Sequence, residues 1–258
     1  DLATFSEAIE QYDKILDKYR KSGLADTALF RIAECYYNVW DYPSALQYFK
    51  RVHKENPQSY LVGESILGSA QCYVPGGDFG SAQLELERLV STYPSYKDNP
   101  QVQFTMGIIR FQEGKYEEAV NELEGIQTAE AIFYSGQALV KLGKSVAATG
   151  KFKKVFEEFK DSQFAEPAAY LIGDAFMLSK NYDGAILEFK RFLSTRPQST
   201  LKEAVMYKIA ASHFLRKDYP GARESFNLLL NSFPSGEFSS LARYFIAESY
   251  RFAGQLKE

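Results

Sequence analysis

The chain has 258 residues, is 45% hydrophobic and 24% charged, and carries a formal net charge of −3. That make-up belongs to a globular protein, not to a disordered, collagen-like or disulfide-stapled chain. No apolar run approaches the ~18 residues of a membrane span, the charge balance does not suggest a nucleic-acid binder, and with only two His and two Cys in the whole chain a protein-built zinc site is not expected.

The chain opens at Asp1 with no Met, no basic n-region and no apolar h-region, which reads as a removed leader or a cut fragment. Its first periodic segment, Phe5, Ala8, Ile9 and Tyr12, has the pattern of a second helix lacking its first. From Ala33 to Pro57 a skeleton appears: a small residue, an aromatic three later, then Ala, Phe and Pro. It returns along the whole chain. The first small position is Ala33, Ala70, Gly107, Gly136, Gly173, Ala210 and Ala247. The second, twelve residues on, is Ala45, Ala82, Ala119, Ala148, Ala185 and Ala222. The closing proline is Pro57, Pro94, Pro197 and Pro234. Intervals between first small positions are 37, 37, 29, 37, 37 and 37 residues.

Each repeat reads as two helices. Ile32, Tyr36 and Val39 give the first an apolar stripe; Ala185, Ile186, Phe189, Phe192 and Leu193 give the second its own. Turns such as Gly114–Tyr116 or Lys180–Tyr182 join them. The proline ends the second helix. Ser59, Ser95, Ser199 and Ser235 follow it and are predicted N-caps of the next helix. The 29-residue interval lacks its proline, so the second helix there is predicted to end near Ile126, with a short connector before Glu130. Residues 1–129 hold 12 Lys+Arg and 19 Asp+Glu, net −7; residues 130–258 hold 18 and 14, net +4. The junction reads either as a change of curvature or as a tolerated deletion. Arg243 to Phe252 looks like a first helix whose mate would start just after Glu258. A helix without its mate exposes apolar surface, so the natural protein is expected to continue on both sides of residues 1–258.

The small–aromatic–Ala–Phe–Pro skeleton resembles the tetratricopeptide repeat (TPR) family over essentially the whole chain. The resemblance implies an all-α, right-handed solenoid of antiparallel helix pairs: one array over residues 1–258, about six full repeats with a half repeat at each end and an irregular junction near 126–130. The family repeat is 34 residues. The three extra residues follow the proline and are expected to add almost one turn to each first helix. That lengthened form, with its P-x-S junction, resembles bacterial envelope TPR proteins: BamD-type outer-membrane assembly lipoproteins and periplasmic proteins associated with Tol–Pal.

Catalytic patterns are sparse. Ala138 to Ser145, ending Gly143-Lys144-Ser145, fits a permissive Walker A expression, but that chemistry needs a strand, a phosphate-cradling loop and then a helix. Here the match straddles two helices, and Gly143 takes the place of Gly114 and Gly254, which reads as a C-cap glycine. Cys35 and Cys72 are one repeat apart, so their Cα atoms should be about 8–10 Å apart, beyond disulfide reach. Two free thiols are expected. His213 takes the place of Tyr36 and Tyr73 and reads as a core residue; His53 has no catalytic partner nearby in sequence. The lysines Lys141, Lys144, Lys151, Lys153, Lys154 and Lys160 read as a solvated face, or else as a surface for an acidic partner or membrane. No catalytic residue, metal site or cofactor is expected.

Three residues before each first small position stand Phe30, Leu67, Phe104, Phe133, Tyr170, Tyr207 and Tyr244; four after it stand Tyr37, Val74, Phe111, Val140, Met177, Phe214 and Arg251. The two sites are seven apart, hence on one helix face. In the TPR family the first helices line the concave surface. The resemblance therefore implies a partner groove at Phe30, Tyr37, Phe104, Phe111, Phe133, Tyr170, Asp174, Tyr207, Phe214, Tyr244 and Glu248; the alternative is that these rings pack between helices. Acidic Asp174 and Glu248 suggest tolerance for Lys or Arg in the ligand. The Lys/Asn/Arg clamp with which some TPR proteins hold a carboxylate terminus is absent. The functional expectation is a non-enzymatic scaffold binding a protein or peptide, with no nucleic acid and no membrane insertion, in the bacterial periplasm or at the outer membrane, or alternatively in the cytoplasm. A structural spacer and a nucleotide-binding subunit are the rival readings.

Overall fold

The computed structural model describes residues 2–19 and 22–254. They form fourteen α-helices and two short 3-10 turns, and no strand occurs among the described residues. In chain order the helices are α1 (Leu2–Tyr19), α2 (Ala25–Asn38), α3 (Tyr42–Glu55), α4 (Val62–Tyr73), α5 (Phe79–Thr92), α6 (Pro100–Gln112), α7 (Tyr116–Leu123), α8 (Ala129–Lys141), α9 (Ser145–Glu158), α10 (Ala165–Leu178), α11 (Tyr182–Thr195), α12 (Lys202–Leu215), α13 (Tyr219–Ser232) and α14 (Ser239–Phe252). Each helix packs mainly on its sequence neighbours, as a solenoid of helix pairs requires. The chain divides into two compact units, Asp1–Leu123 and Glu124–Glu258.

The hairpin turn of every repeat is built the same way. Seven residues after each first small position the backbone turns left-handed: Trp40, Gly77, Gly114, Gly143, Lys180, Lys217 and Gly254 have φ between 59° and 78°. Four of the seven are glycine, which enters this region without a Cβ penalty. The next residue then opens the second helix. Asp41, Asp78, Asn181 and Asp218 accept from the backbone N–H three residues on, at 3.0–3.2 Å. Lysine, which has no acceptor, stands in this place at Lys115 and Lys144, and Lys144 makes no side-chain cap bond.

The small positions admit large rings from the facing helix. A Cβ added at Gly136 would lie 2.7 Å from the Phe152 ring. Phe152, Phe189 and Phe226, each from a second helix, are fully buried. In unit 1 the core gathers Ile66, Leu67, Leu86, Leu89 and Ile109; in unit 2 it gathers Phe189, Phe192, Val205, Phe226 and Leu229.

Two local expectations are corrected. The serines after the prolines are not N-caps: α4, α6, α12 and α14 start three to five residues beyond Ser59, Ser95, Ser199 and Ser235. The extra residues fold as a turn instead of lengthening the first helix. Ser199 Oγ donates to Glu166 Oε1 (2.7 Å) and accepts from Leu201 N–H (2.9 Å); Ser59 bonds Asp26 and the Leu61 N–H likewise. Glu64 receives the Tyr96 hydroxyl (2.9 Å) and Glu203 the Phe238 N–H (2.9 Å). In each case an acid in the first turn of one first helix ties down the turn entering the next repeat. The second correction is that α7 ends at Leu123, not near Ile126, because Gly125 turns left-handed at φ 83°. Ile126 is nevertheless buried, and Thr128 caps α8.

Candidate functional site

The first helices of unit 1 enclose a cavity of about 370 Å³. Phe30, Glu34 and Tyr37 of α2 form one wall; Glu64, Gly68 and Gln71 of α4 form the other; Gln101 of α6 closes the end. Helical spacing places Phe30, Glu34 and Tyr37 on one face. Phe30 is half-buried and meets Phe49 edge-on with ring centroids 5.5 Å apart; Tyr37 meets Tyr42 edge-on at 5.3 Å. Arg31 donates to Glu34 at 2.6 Å from one turn earlier on α2, with more than half its side chain in solvent. No lining residue is basic. Phe104 and Phe111 are half-buried but do not line this cavity; Phe111 packs on Tyr116 at 5.6 Å.

In unit 2 the predicted groove residues are used differently. Phe133 is 7% exposed and packs on Phe152 and Phe164, a core position. Tyr207 stacks on Phe238 at 4.7 Å and also meets Phe226 and Phe245. Phe214 sits among Tyr219, Phe245 and Phe252. Tyr170 is half-buried against Phe189, and the Lys208 ammonium lies 5.9 Å from its ring centroid. The same ammonium is 2.8 Å from Asp174 Oδ1. Burial opposes the charge on Lys208, but the bond and field of Asp174 outweigh it and raise its pKa. Burial, then the Asp174 charge, pushes the Tyr170 hydroxyl up. Glu248 is paired with Arg251 at 2.5 Å. Of the predicted set only Tyr244 is openly exposed, at 57%. Asp174 is thus paired with the chain's own Lys208 from the next repeat, and Glu248 with Arg251 one turn along the same helix.

A second cavity in unit 2, about 610 Å³, lies among α11, α12 and α13, lined by Leu193, Met206, Ile209 and Leu228. None of the predicted residues lines it. His213 stands at its edge and joins α12 to the cap of α13, with Nδ1 2.7 Å from Asp218 Oδ2. That bond, then Arg216 and the Gly221 N–H, hold the Asp218 carboxyl down at about 2.

The remaining sequence candidates resolve simply. Cys35 and Cys72 are free and buried, and burial pushes the Cys72 thiol up to about 12. His53 is half-buried, and burial depresses its pKa. The Walker-like stretch is the end of α8, the left-handed Gly143 and the start of α9; a helix precedes the glycine where a phosphate loop requires a strand. Lys151 and Lys153 pair with Glu124 and Glu188, and Lys154 donates to Gln127.

Two stretches, residues 27–59 and 204–236, match the tetratricopeptide repeat family. Each runs from the first turn of a first helix to the turn that follows the paired second helix. The fold is a TPR solenoid. The C-terminal part of a TPR-containing protein from Cytophaga hutchinsonii superposes with a TM-score of 0.70 at 15% identity, covering 93% of this chain and 94% of that one. A tetratricopeptide repeat protein from Parabacteroides merdae gives 0.61 at 17% identity, covering 92% and 94%. PilW, a type IV pilus biogenesis factor, gives 0.62 at 17% identity, covering 85% and 99%. No curated protein matches the chain.

Proposed function

We propose that this TPR protein is a non-enzymatic scaffold in the bacterial envelope that holds a segment of a partner protein between the first helices α2, α4 and α6. The observation that carries the reading is the cavity walled by Phe30, Glu34 and Tyr37 on one side and Glu64 and Gln71 on the other. Half-buried aromatics bury large area at small rotamer cost, and the neighbouring carboxylates and amides can meet a partner's backbone and polar side chains. The envelope assignment is supported by the P-x-S repeat junction, which resembles that of BamD-type and Tol–Pal-associated proteins, and by the likeness to PilW.

Site-specific photo-crosslinking in the native cell tests both parts. A benzophenone side chain at Asn38, on the cavity rim, is expected to give a discrete adduct in the envelope fraction. The same group at exposed Leu84, on the second helix α5, is expected to give none. An adduct from Leu84 alone places the partner elsewhere; an adduct confined to the cytosolic fraction refutes the compartment.

A further inference from the structure

Adjacent repeats meet in a fixed register. The residue after the first small position faces the residue 34 further along the chain: Gln71 Nε2 reaches Thr105 Oγ1 (3.5 Å), and Asp174 pairs with Lys208 (2.8 Å). In unit 1 the same register sets Glu34 opposite Gly68, and both line the 370 Å³ cavity. Glu34 is the counterpart of Asp174, Phe30 of Tyr170 and Gly68 of Lys208. Unit 2 therefore fills the space between a carboxylate and an aromatic ring with its own lysine. Unit 1 leaves that space open.

We infer that the unit 1 cavity is a receptor for a cationic side chain, a Lys or Arg presented by the partner segment, which enters where Lys208 sits in unit 2. The inference rests on the groove reading above and adds the chemistry of the anchor. Two carboxylates line the cavity. Among the described residues Glu34 pairs only with Arg31, on its own helix and more than half in solvent, so an incoming cation would share that carboxylate; Glu64 carries a neutral donor, Tyr96 OH, and no cation within ion-pair distance. Phe30 and Tyr37 bring aromatic rings to the lining, and a cation over such a ring is attracted by its quadrupole. The Lys208 site demonstrates the chemistry within the same chain: a carboxylate at 2.8 Å and a ring centroid at 5.9 Å hold an ammonium in its charged form. Packing keeps this position small: a Cβ at Gly68 would lie 2.6 Å from the Phe49 ring, so a side chain reaching into the cavity from there would have to displace Phe49.

The test is a random dodecapeptide phage library selected on the intact chain, with the strongest peptides synthesised and their binding read by fluorescence anisotropy. The selected peptides are expected to share a Lys or Arg at one aligned position. Replacing that residue by norleucine, or the protein's Glu34→Gln together with Glu64→Gln, should weaken binding roughly tenfold or more, and affinity should fall with salt. Thermal melts of the variant verify that it folds. Peptides lost on Tyr37→Ser but indifferent to both charge changes would overturn the cation receptor and leave the groove standing. Peptides indifferent to Tyr37 as well, or a library yielding no binder, would overturn both. Gly68 itself is not the residue to change, because any side chain there displaces Phe49.

Discussion

Two glycines of one repeat make a matched experiment on the hairpin turn. Gly143 lies in the left-handed turn at φ 72°, and Gly150 lies inside α9. A Cβ added at either meets no atom within 4 Å, so packing contributes nothing to either substitution and only the backbone decides. At Gly143 an alanine takes on the left-handed penalty, about 1–2 kcal/mol. The stiffer unfolded chain offsets this by about 0.4–1 kcal/mol, leaving Gly143→Ala destabilising by about 1 kcal/mol. At Gly150 the helical backbone suits alanine, and Gly150→Ala should stabilise by about 0.8–1 kcal/mol. Urea unfolding followed by circular dichroism reads both: the midpoint moves down for the first and up for the second, with the slope unchanged. Shifts of the same sign would refute the claim that the turn's backbone, and not its surroundings, selects glycine here. The same logic run backwards applies to Lys180 and Lys217, non-glycine residues at φ 59° and 66°. Lys180→Gly is expected to stabilise by about 1 kcal/mol on these figures.

Lys144→Asp should add the cap that Asn181 and Asp218 supply in their repeats and stabilise by about 1 kcal/mol, read as a higher midpoint in the same assay. Asp218 is held down at about 2 in the folded chain, below the usual carboxylate value near 3.9. Its contribution is therefore complete above about pH 4 and is lost as pH falls toward 2; in acid titrations of stability, Asp218→Asn should flatten that limb and leave the neutral-to-basic limb unaltered. Lys208→Met removes the partner of Asp174 and should destabilise by about 1–3 kcal/mol, and Asp174→Asn in the same chain should recover most of the loss, which a double-mutant cycle measures.

The architecture was legible because it repeats. A small residue recurring at 37-residue intervals, with one interval of 29 and an alanine twelve further on, is a packing requirement written many times, and the register it predicts matches the helix pairs from α2 to α13. Features that depend on one bond were less legible. A serine after a proline has the composition of an N-cap, yet Ser59 and Ser199 serve a turn ahead of the helix, because an acid from the preceding repeat draws their hydroxyls away. The end of α7 was misplaced because the helical pattern runs on to buried Ile126, while Gly125 has already left the helix. The left-handed turn is visible in sequence at its four glycines and hidden at Trp40, Lys180 and Lys217, whose side chains give no sign of it.

The groove separates what periodicity conveys from what it does not. Spacing alone put Phe30, Tyr37, Tyr170 and Tyr207 on equivalent faces of equivalent helices. It could not say that Tyr207 stacks on Phe238 or that Lys208 already neutralises Asp174, since those outcomes depend on the residue 31 or 34 positions later. Comparing repeats column by column reveals the second kind of information. Within each unit, from its second repeat on, the column two before the first small position reads Gly68 and Thr105 in unit 1 and Leu171, Lys208 and Phe245 in unit 2. It faces the column of Glu34, Gln71 and Asp174, and the one place where an acid meets a glycine is the place where the cavity opens. In a solenoid, helix backbones repeat from unit to unit, so binding chemistry resides where one column fails to complement its neighbour; in unit 1 that failure leaves a cavity beside Glu34, whose partner in the chain is Arg31 of its own helix.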